Sequence, residues 1–393
     1  MSHAQLELLL QFAFWTCLAG VVYSYAVYPL FVWAFARVFG TARVPPADLA
    51  DGDLPMVSLL IAAYNEESVI GERLQNALAL DYPAGKLEIV IASDGSSDRT
   101  NAIVEATKDP RVRLLAFPQR QGKAGVLNSA FPQLRGDIVV LSDANTNTGR
   151  LAIRQLVRWF QSPSVGVVCG RLVLTDPVTG TNVDGMYWKY ETFLKVCENR
   201  LGALLGANGA IYAVRRQLYT GIRRNTLIDD FVIPLAIRLR TGCTIEYDSN
   251  ATAYEETPEA IGSEFKRRAR IGTGGFQSLP VLWTLLNPAH GWIAFTYFSH
   301  KITRWLCPFL LIGAFGLNLF LVADGPLYAF MLALQFVLYA IAVAGTQLTS
   351  PGVPVRILRL TTLFAGMNLA LLVGFWRWIS TEPQGAWTRT ARP

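Results

Sequence analysis

Long stretches without a charged side chain occupy both ends of the chain, and between them short apolar runs alternate with amphipathic ones. No charged residue occurs from position 8 to 36, after which come Arg37 and Arg43. That run exceeds the about 20 apolar residues a helix needs to cross a bilayer, so residues 1–40 read as an amino-terminal anchor. No Lys or Arg precedes it and no small-residue cleavage site follows, which argues against a cleaved signal peptide. Three more apolar runs, 305–323, 326–345 and 360–376, read as carboxy-terminal spans within 301–380, the last two separated by a Pro/Gly-rich turn at 349–354. Ahead of them, residues 276–300 mix Trp, Phe and Tyr with Pro and Gly, as a segment at headgroup depth would. Residues 381–393 form a tail.

The middle region, about 53–275, has the pattern of a water-soluble domain. Apolar runs at 57–63, 87–93, 112–116 and 138–142 predict strands, and amphipathic stretches at 68–80 and 98–107 predict helices between them. Strands that alternate with helices imply an α/β fold with a mostly parallel sheet. In such sheets ligands bind outside the carboxyl ends of the strands.

Composition narrows the class. Of 393 residues, 52% are hydrophobic and 16% charged, against about a quarter charged in a typical soluble domain. With 10 Trp, 14 Tyr and 21 Phe the chain has ample material for a core, which excludes disorder. Net charge is +6, with cations clustered at Arg215-Arg216, Arg223-Arg224 and 266–270. Such clusters suit phosphate or anionic lipid; without a helix-turn-helix, zinc-finger or RNA-recognition signature they do not indicate nucleic acid. Counting positive charges places Arg37, Arg43, Lys301, Arg304, Arg356 and Arg359 on the side of the middle region, which is therefore expected on the cytoplasmic face. Four spans then put both ends on the far side, where Arg389 and Arg392 run against the rule. The five cysteines are scattered through apolar or small-residue settings and form neither a disulfide framework nor a zinc pattern.

Three histidines occur, His3, His290 and His300. Between positions 4 and 289 a His-dependent triad is thus ruled out, and a general base there must be a carboxylate. Carboxylates stand at three strand ends: Glu66 and Glu67 after the first, Asp94 and Asp98 after the second, Asp143 in Asp143-Ala144-Asn145 after the fourth. One such residue reads as a helix cap; three at one edge read as a shared polar site. No P-loop and no dinucleotide fingerprint is present, so phosphates would need a divalent cation and basic side chains. Lys123 reads either as a nucleotide contact or as a solvated lysine at a helix end. Residues 204–212 form a small-residue segment that admits a bulky substrate or close helix packing. Asp229-Asp230 opens an apolar-periodic helix at 231–239, where acids favour the macrodipole and also supply a candidate base.

In this order the motifs resemble the membrane-integrated inverting glycosyltransferases of family 2, the group of cellulose, hyaluronan and chitin-oligosaccharide synthases. The resemblance covers about residues 55–310. It rests on PMVSLLIAAYNEE (55–67), IVIASDGSSDRT (89–100), SDANT (142–146), GANGAIY (206–212) and Asp229-Asp230. It implies a GT-A-like nucleotide-sugar-binding domain with transmembrane helices at both ends. The implied donor contacts are Ala63, Tyr64, Glu66, Asp94, Lys123, Asp143, Arg267 and Arg270. The implied acceptor contacts are Gly206, Asn208, Gly209 and Asp229. SDANT looks like the Asp-x-Asp metal motif with Asn145 in place of the second Asp, which implies Mg2+ or Mn2+ on Asp143 and Asn145. Asp230 takes the place of the catalytic base. The processive members' Gln-x-x-Arg-Trp corresponds to 267–271, where Arg270 is kept and Gln and Trp are absent.

The expectation is a metal-dependent enzyme of a bacterial inner membrane, its catalytic domain cytoplasmic, that moves a sugar from a UDP-sugar to a saccharide acceptor with inversion. The product would be a β-linked poly- or oligosaccharide, made beside membrane lipid with a second copy or a channel partner. Single-sugar transfer to polyprenyl phosphate or diacylglycerol is the alternative, and a membrane binding protein that lost catalysis is a third reading.

Overall fold

The computed structural model describes residues 2–176, 185–256, 261–345 and 353–380. They fall into two units, one within Met1–Phe31, Ala260–Phe276 and Tyr297–Glu382, the other within Val32–Glu259 and Gln277–Thr296.

The described residues of the second unit are built on one eight-stranded sheet. Its strands are β1 (Val57–Ala63), β2 (Leu87–Asp94), β3 (Val112–Phe117), β4 (Ile138–Asp143), β5 (Asn147–Thr148), β6 (Val165–Thr175), β7 (Tyr212–Arg215) and β8 (Thr244–Glu256), in spatial order β3-β2-β1-β4-β7-β6-β8-β5. Every residue of β1 and β2 is buried, as strands covered on both faces require, so both read as largely apolar runs, and the polar pair within them, Ser58 and Glu88, is hydrogen-bonded from one strand to the other. β1 pairs in parallel with β2 and with β4, and β2 with β3. β7 runs antiparallel between β4 and β6, while β6 and β8 pair in parallel. From β1 the chain goes out to β2 and β3 on one side and then crosses to β4 on the other. The switch point, and with it the crevice, lies between the carboxyl ends of β1 and β4.

The four strands expected from sequence form within a residue of their limits. The expected helices at 68–80 and 98–107 are shorter, Ile70–Leu78 and Thr100–Ala106: ahead of the first, the N–H groups of Glu66 and Glu67 are taken by Thr100 and Asp98, and ahead of the second, the Arg99 N–H is taken by Glu67. The expected helix at 231–239 is longer, Asp229–Thr241. The series of strands does not end with β4: β5, β6, β7 and β8 complete the sheet.

Residues 41–54, ahead of β1, are pinned to this unit by ion pairs: Arg43 to Glu246 at 3.4 Å, Asp48 to Arg158 at 3.1 Å and Asp51 to Arg154 at 2.7 Å.

Among the described residues, four helices are long and apolar enough to cross a membrane: His3–Val38, Trp292–Leu321, Pro326–Ala344 and Leu360–Ser380. The second begins earlier than the sequence suggests, so the end of the segment read as interfacial, 276–300, continues into a candidate span. Pro288 and Gly291 stop the preceding turn, and no breaker follows Gly291 until the helix is well established. In the first unit the π-helical turns Tyr23–Val27 and Tyr297–Ile302 meet where Tyr23 Oη and Ser299 Oγ lie 2.6 Å apart. Of the turn expected at 349–354, only Val353 and Pro354 fall within the described residues, opening the helix Val353–Ser380; the tail 381–393 lies outside them.

Candidate functional site

Three loops meet at the carboxyl edge of β1, β2 and β4. Asn65 follows β1 with φ 54, a left-handed position that Asn tolerates, and its Oδ1 accepts the Ser97 N–H at 2.8 Å. Its own N–H donates to Ser96 Oγ at 3.1 Å, so the loops after β1 and β2 are laced together. Tyr64 lies beneath Arg120, whose guanidinium carbon is 3.9 Å from the ring centroid. The Glu66 N–H donates to Thr100 Oγ1 at 2.8 Å. Ala63, the last residue of β1, is buried.

Asp94, at the end of β2, is fully buried. Its two carboxylate oxygens accept the N–H groups of Gln121 and Gly122 at 2.5 and 2.9 Å. Those donors open the helix Gly122–Ala130, so the acid satisfies orphan N–H groups and complements the positive helix end. In this geometry Asp94 is the fixture that aims the next residue, Lys123.

Lys123 stands among acids. Its Nζ is 2.7 Å from Asp143 Oδ1 and 3.2 Å from Asp229 Oδ1. Burial disfavours the ammonium, but the summed charge of Asp143, Asp229 and Asp230 outweighs it, and the Lys123 pKa stands well above its ordinary value. Asp229 is buried at the first turn of the helix Asp229–Thr241 and accepts from Tyr212 Oη at 3.4 Å. Burial, reinforced by Asp229 and Asp230, holds the Tyr212 phenol well above its usual value, so it stays protonated and donates.

The segment GANGAIY is brought to this point by β7. Leu141 of β4 pairs with Tyr212, which folds residues 206–211 over the end of β4, and Ser142 Oγ donates to Ala210 O at 2.7 Å. Gly206 has φ +82, and a Cβ there would meet Phe231 Cα at 3.1 Å. At Gly209 a Cβ would lie 3.0 Å from Asp143 Oδ2 and 3.7 Å from Asp230 Oδ2. Both carboxylates thus face the space that the missing side chain leaves. Asn208 donates to Gly170 O at 2.7 Å and accepts from Ile211 N at 3.2 Å, so its amide shapes the loop itself.

Lys123, Asp143, Asp229, Asp230 and Gly209 therefore come together from four separated segments. Asp230 is half-buried whereas Asp229 is enclosed. Arg267 and Arg270 belong to the other unit, on the helix Ile261–Leu282, where Arg267 stands 3.7 Å from Glu264 and Arg270 is exposed. One contributor escaped the sequence reading. Arg73 is buried and donates to Ser142 Oγ at 3.1 Å and to Asn76 Oδ1 at 2.9 Å, bracing the residue next to Asp143. Burial lowers its pKa to about 10 despite the charge of Asp143. Its signal was legible: it shares the buried face Ile70, Arg73, Leu74, Ala77 of an otherwise amphipathic helix.

Among the described residues no three His, Cys, Asp or Glu side chains are grouped as a metal site. Asp143 and half-buried Asn145 nevertheless offer one carboxylate and one amide oxygen on a single turn, and Lys123 engages Oδ1 of the carboxylate while Oδ2 faces the Gly209 space. Hard oxygen donors so few in number fit Mg2+ or Mn2+ ligated chiefly by substrate phosphates and water.

Residues 58–219 match the model of the family Glycosyl transferase family 2. The chain is similar to Beta-monoglucosyldiacylglycerol synthase of Synechocystis sp., 27% identical over 283 residues, which is 68% of this chain and 58% of that protein. It is also similar to Poly-beta-1,6-N-acetyl-D-glucosamine synthase of Staphylococcus aureus, 28% identical over 249 residues, 59% of this chain and 57% of the relative. The chain thus spans a little over half the length of these relatives. Among solved structures, the mannosyltransferase PcManGT from Pyrobaculum calidifontis, in complex with GDP-Man and Mn2+, is similar with a TM-score of 0.69 and 22% identity, covering 94% of this chain and 99% of that one. That likeness establishes the fold, GT-A-like with a mostly parallel sheet.

Proposed function

We propose that this chain is a family 2 glycosyl transferase that transfers a sugar from a nucleotide-sugar donor, a UDP-sugar, to an acceptor hydroxyl in one inverting displacement. The observation that carries this reading is the pair Asp143 and Asp230 facing one another's space at Gly209, with Lys123 neutralising Asp143 and Asp229 behind them.

Asp230 accepts the proton of the acceptor hydroxyl as its oxygen attacks C1 of the sugar, the bond to the nucleoside diphosphate breaks, and an α-linked donor yields a β product. Asp229, enclosed and paired with Lys123 and Tyr212, fixes the helix start on which Asp230 stands. The positive charge of Lys123 offsets the acids where a diphosphate must approach. A divalent ion, Mg2+ or Mn2+, would be held by Asp143 and Asn145 and would supply charge neutralisation at the diphosphate. The sequence resemblance alone assigns Arg267 and Arg270 to the donor.

The acceptor has two readings. A saccharide, extended into a β-linked poly- or oligosaccharide, is supported by the similarity to the poly-N-acetylglucosamine synthase. A lipid that receives one sugar is supported by the similarity to the glucosyldiacylglycerol synthase. In either case the charges at Arg37, Arg43, Lys301 and Arg304 support a domain on the cytoplasmic face of a bacterial inner membrane.

The test is UDP release by the full chain in detergent against a panel of UDP-sugars, with Mg2+, Mn2+ or chelator, followed by sizing of the labelled product. Release with one donor is expected, and Asp230→Asn should abolish it while UDP still binds. An active Asp230→Asn enzyme would overturn the assignment of the base. A long product selects the polymer reading, and one sugar on lipid selects the other.

A further inference from the structure

Outside the carboxylate site the second unit holds a cavity of about 900 Å3. Its walls are the flanks of the helices Gly122–Ala130 and Asp229–Thr241, the loop between β7 and the second of these, and Val281 at the end of the helix Ile261–Leu282. The walls are held at defined points. Asn128 Oδ1 accepts Tyr219 Oη at 2.7 Å and Ile222 N at 3.0 Å, and its Nδ2 donates to Ile222 O at 2.7 Å. Tyr219 stacks on Phe131 with ring centroids 3.7 Å apart. From the other side Gln277 accepts from Leu227 N at 3.2 Å and donates to Asn225 O at 2.8 Å.

The lining has one sign of charge. Among its described lining residues, Arg216 and Arg223 carry the charge, and none is Asp or Glu. Arg216 Nε donates to Gly136 O at 2.8 Å, which fixes where its guanidinium stands, and Arg223 is exposed. Arg215, its neighbour in sequence, points elsewhere and is spent on the carbonyls of Phe160, Ser162 and Val165. The rest of the wall is largely apolar: Phe131, Val232 and Val281 lie along it. Just past Val281, Trp283 is 64% exposed and Leu286 is exposed too. An exposed Trp beside an apolar residue is the composition of a surface that meets lipid at headgroup depth.

We propose that this cavity binds the headgroup of an anionic phospholipid. Arg216 and Arg223 hold the phosphate through their forked donors, and Phe131, Val232 and Val281 take the first methylenes of the chains. Neither arginine belongs to the carboxylate site. The cavity lies along the two helices whose first turns carry Lys123 and the acids Asp229 and Asp230, so occupancy braces the supports of the site.

The full chain in phosphatidylcholine nanodiscs, with a trace of diazirine-bearing phosphatidylglycerol, tests this by photolabelling and peptide mapping. Label is expected on the segment 216–226 and near Val281, displaced by unlabelled phosphatidylglycerol and not by millimolar glycerol phosphate. Arg223→Glu should lower labelling about tenfold, the loss of one charge-assisted contact, with UDP binding unchanged. Val281→Trp, which fills the apolar end without touching charge, should lower it as well. Equal labelling by a phosphatidylcholine probe, or labelling that neither variant reduces, would overturn the proposal. Displacement by glycerol phosphate would overturn it in favour of a water-soluble phosphate ligand. These readouts involve no sugar transfer, so they stand or fall apart from the catalytic reading.

Discussion

Lys123 Nζ lies 2.7 Å from Asp143 Oδ1, although the two residues come from a helix start and a strand end 20 positions apart. This pair, with Asp229 at 3.2 Å on its other side, makes a lysine the internal counter-ion of the site. Lys123→Ala leaves two acids without it. Asp143 is 34% exposed and Asp229 8%, so the loss of stability should be about 1–3 kcal/mol, below the about 3–5 of a fully enclosed pair. Activity should fall by more than about a hundredfold, because the acids then repel the donor's diphosphate. Melting curves and UDP release measured on the same preparation check both parts.

Gly209→Ala is a test of space. The added methyl would sit 3.0 Å from one carboxylate oxygen and 3.7 Å from another, where a reacting group must enter. Turnover should drop about a hundredfold with a melting midpoint close to wild type, since displacement by about 1 Å costs that much in rate. Unchanged turnover would mean that the reacting atoms do not pass this point.

Asp94→Asn keeps the shape of the side chain and removes its charge. One of the two helix-opening N–H groups then faces an amide N–H, which leaves buried polar groups unmatched and costs about 1–3 kcal/mol. Chemical denaturation gives the cost. UDP affinity should fall as well, because Lys123 is aimed from that helix start.

Stability should also carry a pH signature from Glu246. Burial raises its carboxyl above the ordinary 4.5, with Arg43 pulling the other way. A carboxyl raised on folding contributes stability that is complete below about pH 4.5 and is lost as the pH climbs through the folded value. Glu246→Gln removes that titration, so the decline in melting midpoint from about pH 4.5 to pH 7 should be shallower in the variant. Parallel curves for the two proteins would show that Glu246 does not titrate in this range.

The sequence by itself determined the local framework. Apolar runs of strand length placed β1 to β4, uncharged ends marked the candidate spans, and the absence of histidine from 4 to 289 left carboxylates as the candidate bases. These features are local, because burial on both faces of a strand, or along a whole helix, is written in consecutive residues. Only the tertiary structure decided which charges meet. The antiparallel entry of β7 beside β4 brought Gly209 and Tyr212 to Asp143, and it drew on a four-residue strand with no periodicity to announce it. The resemblance implies that Asp94 contacts the donor, and the fold shows each of its oxygens accepting a backbone N–H, from Gln121 and from Gly122. Lys123 reads as a nucleotide contact or a solvated lysine, and the fold turns it toward Asp143 and Asp229. Such pairings depend on the order of strands in the sheet, which is set by the packing of distant segments and has no counterpart in the spacing of residues along the chain.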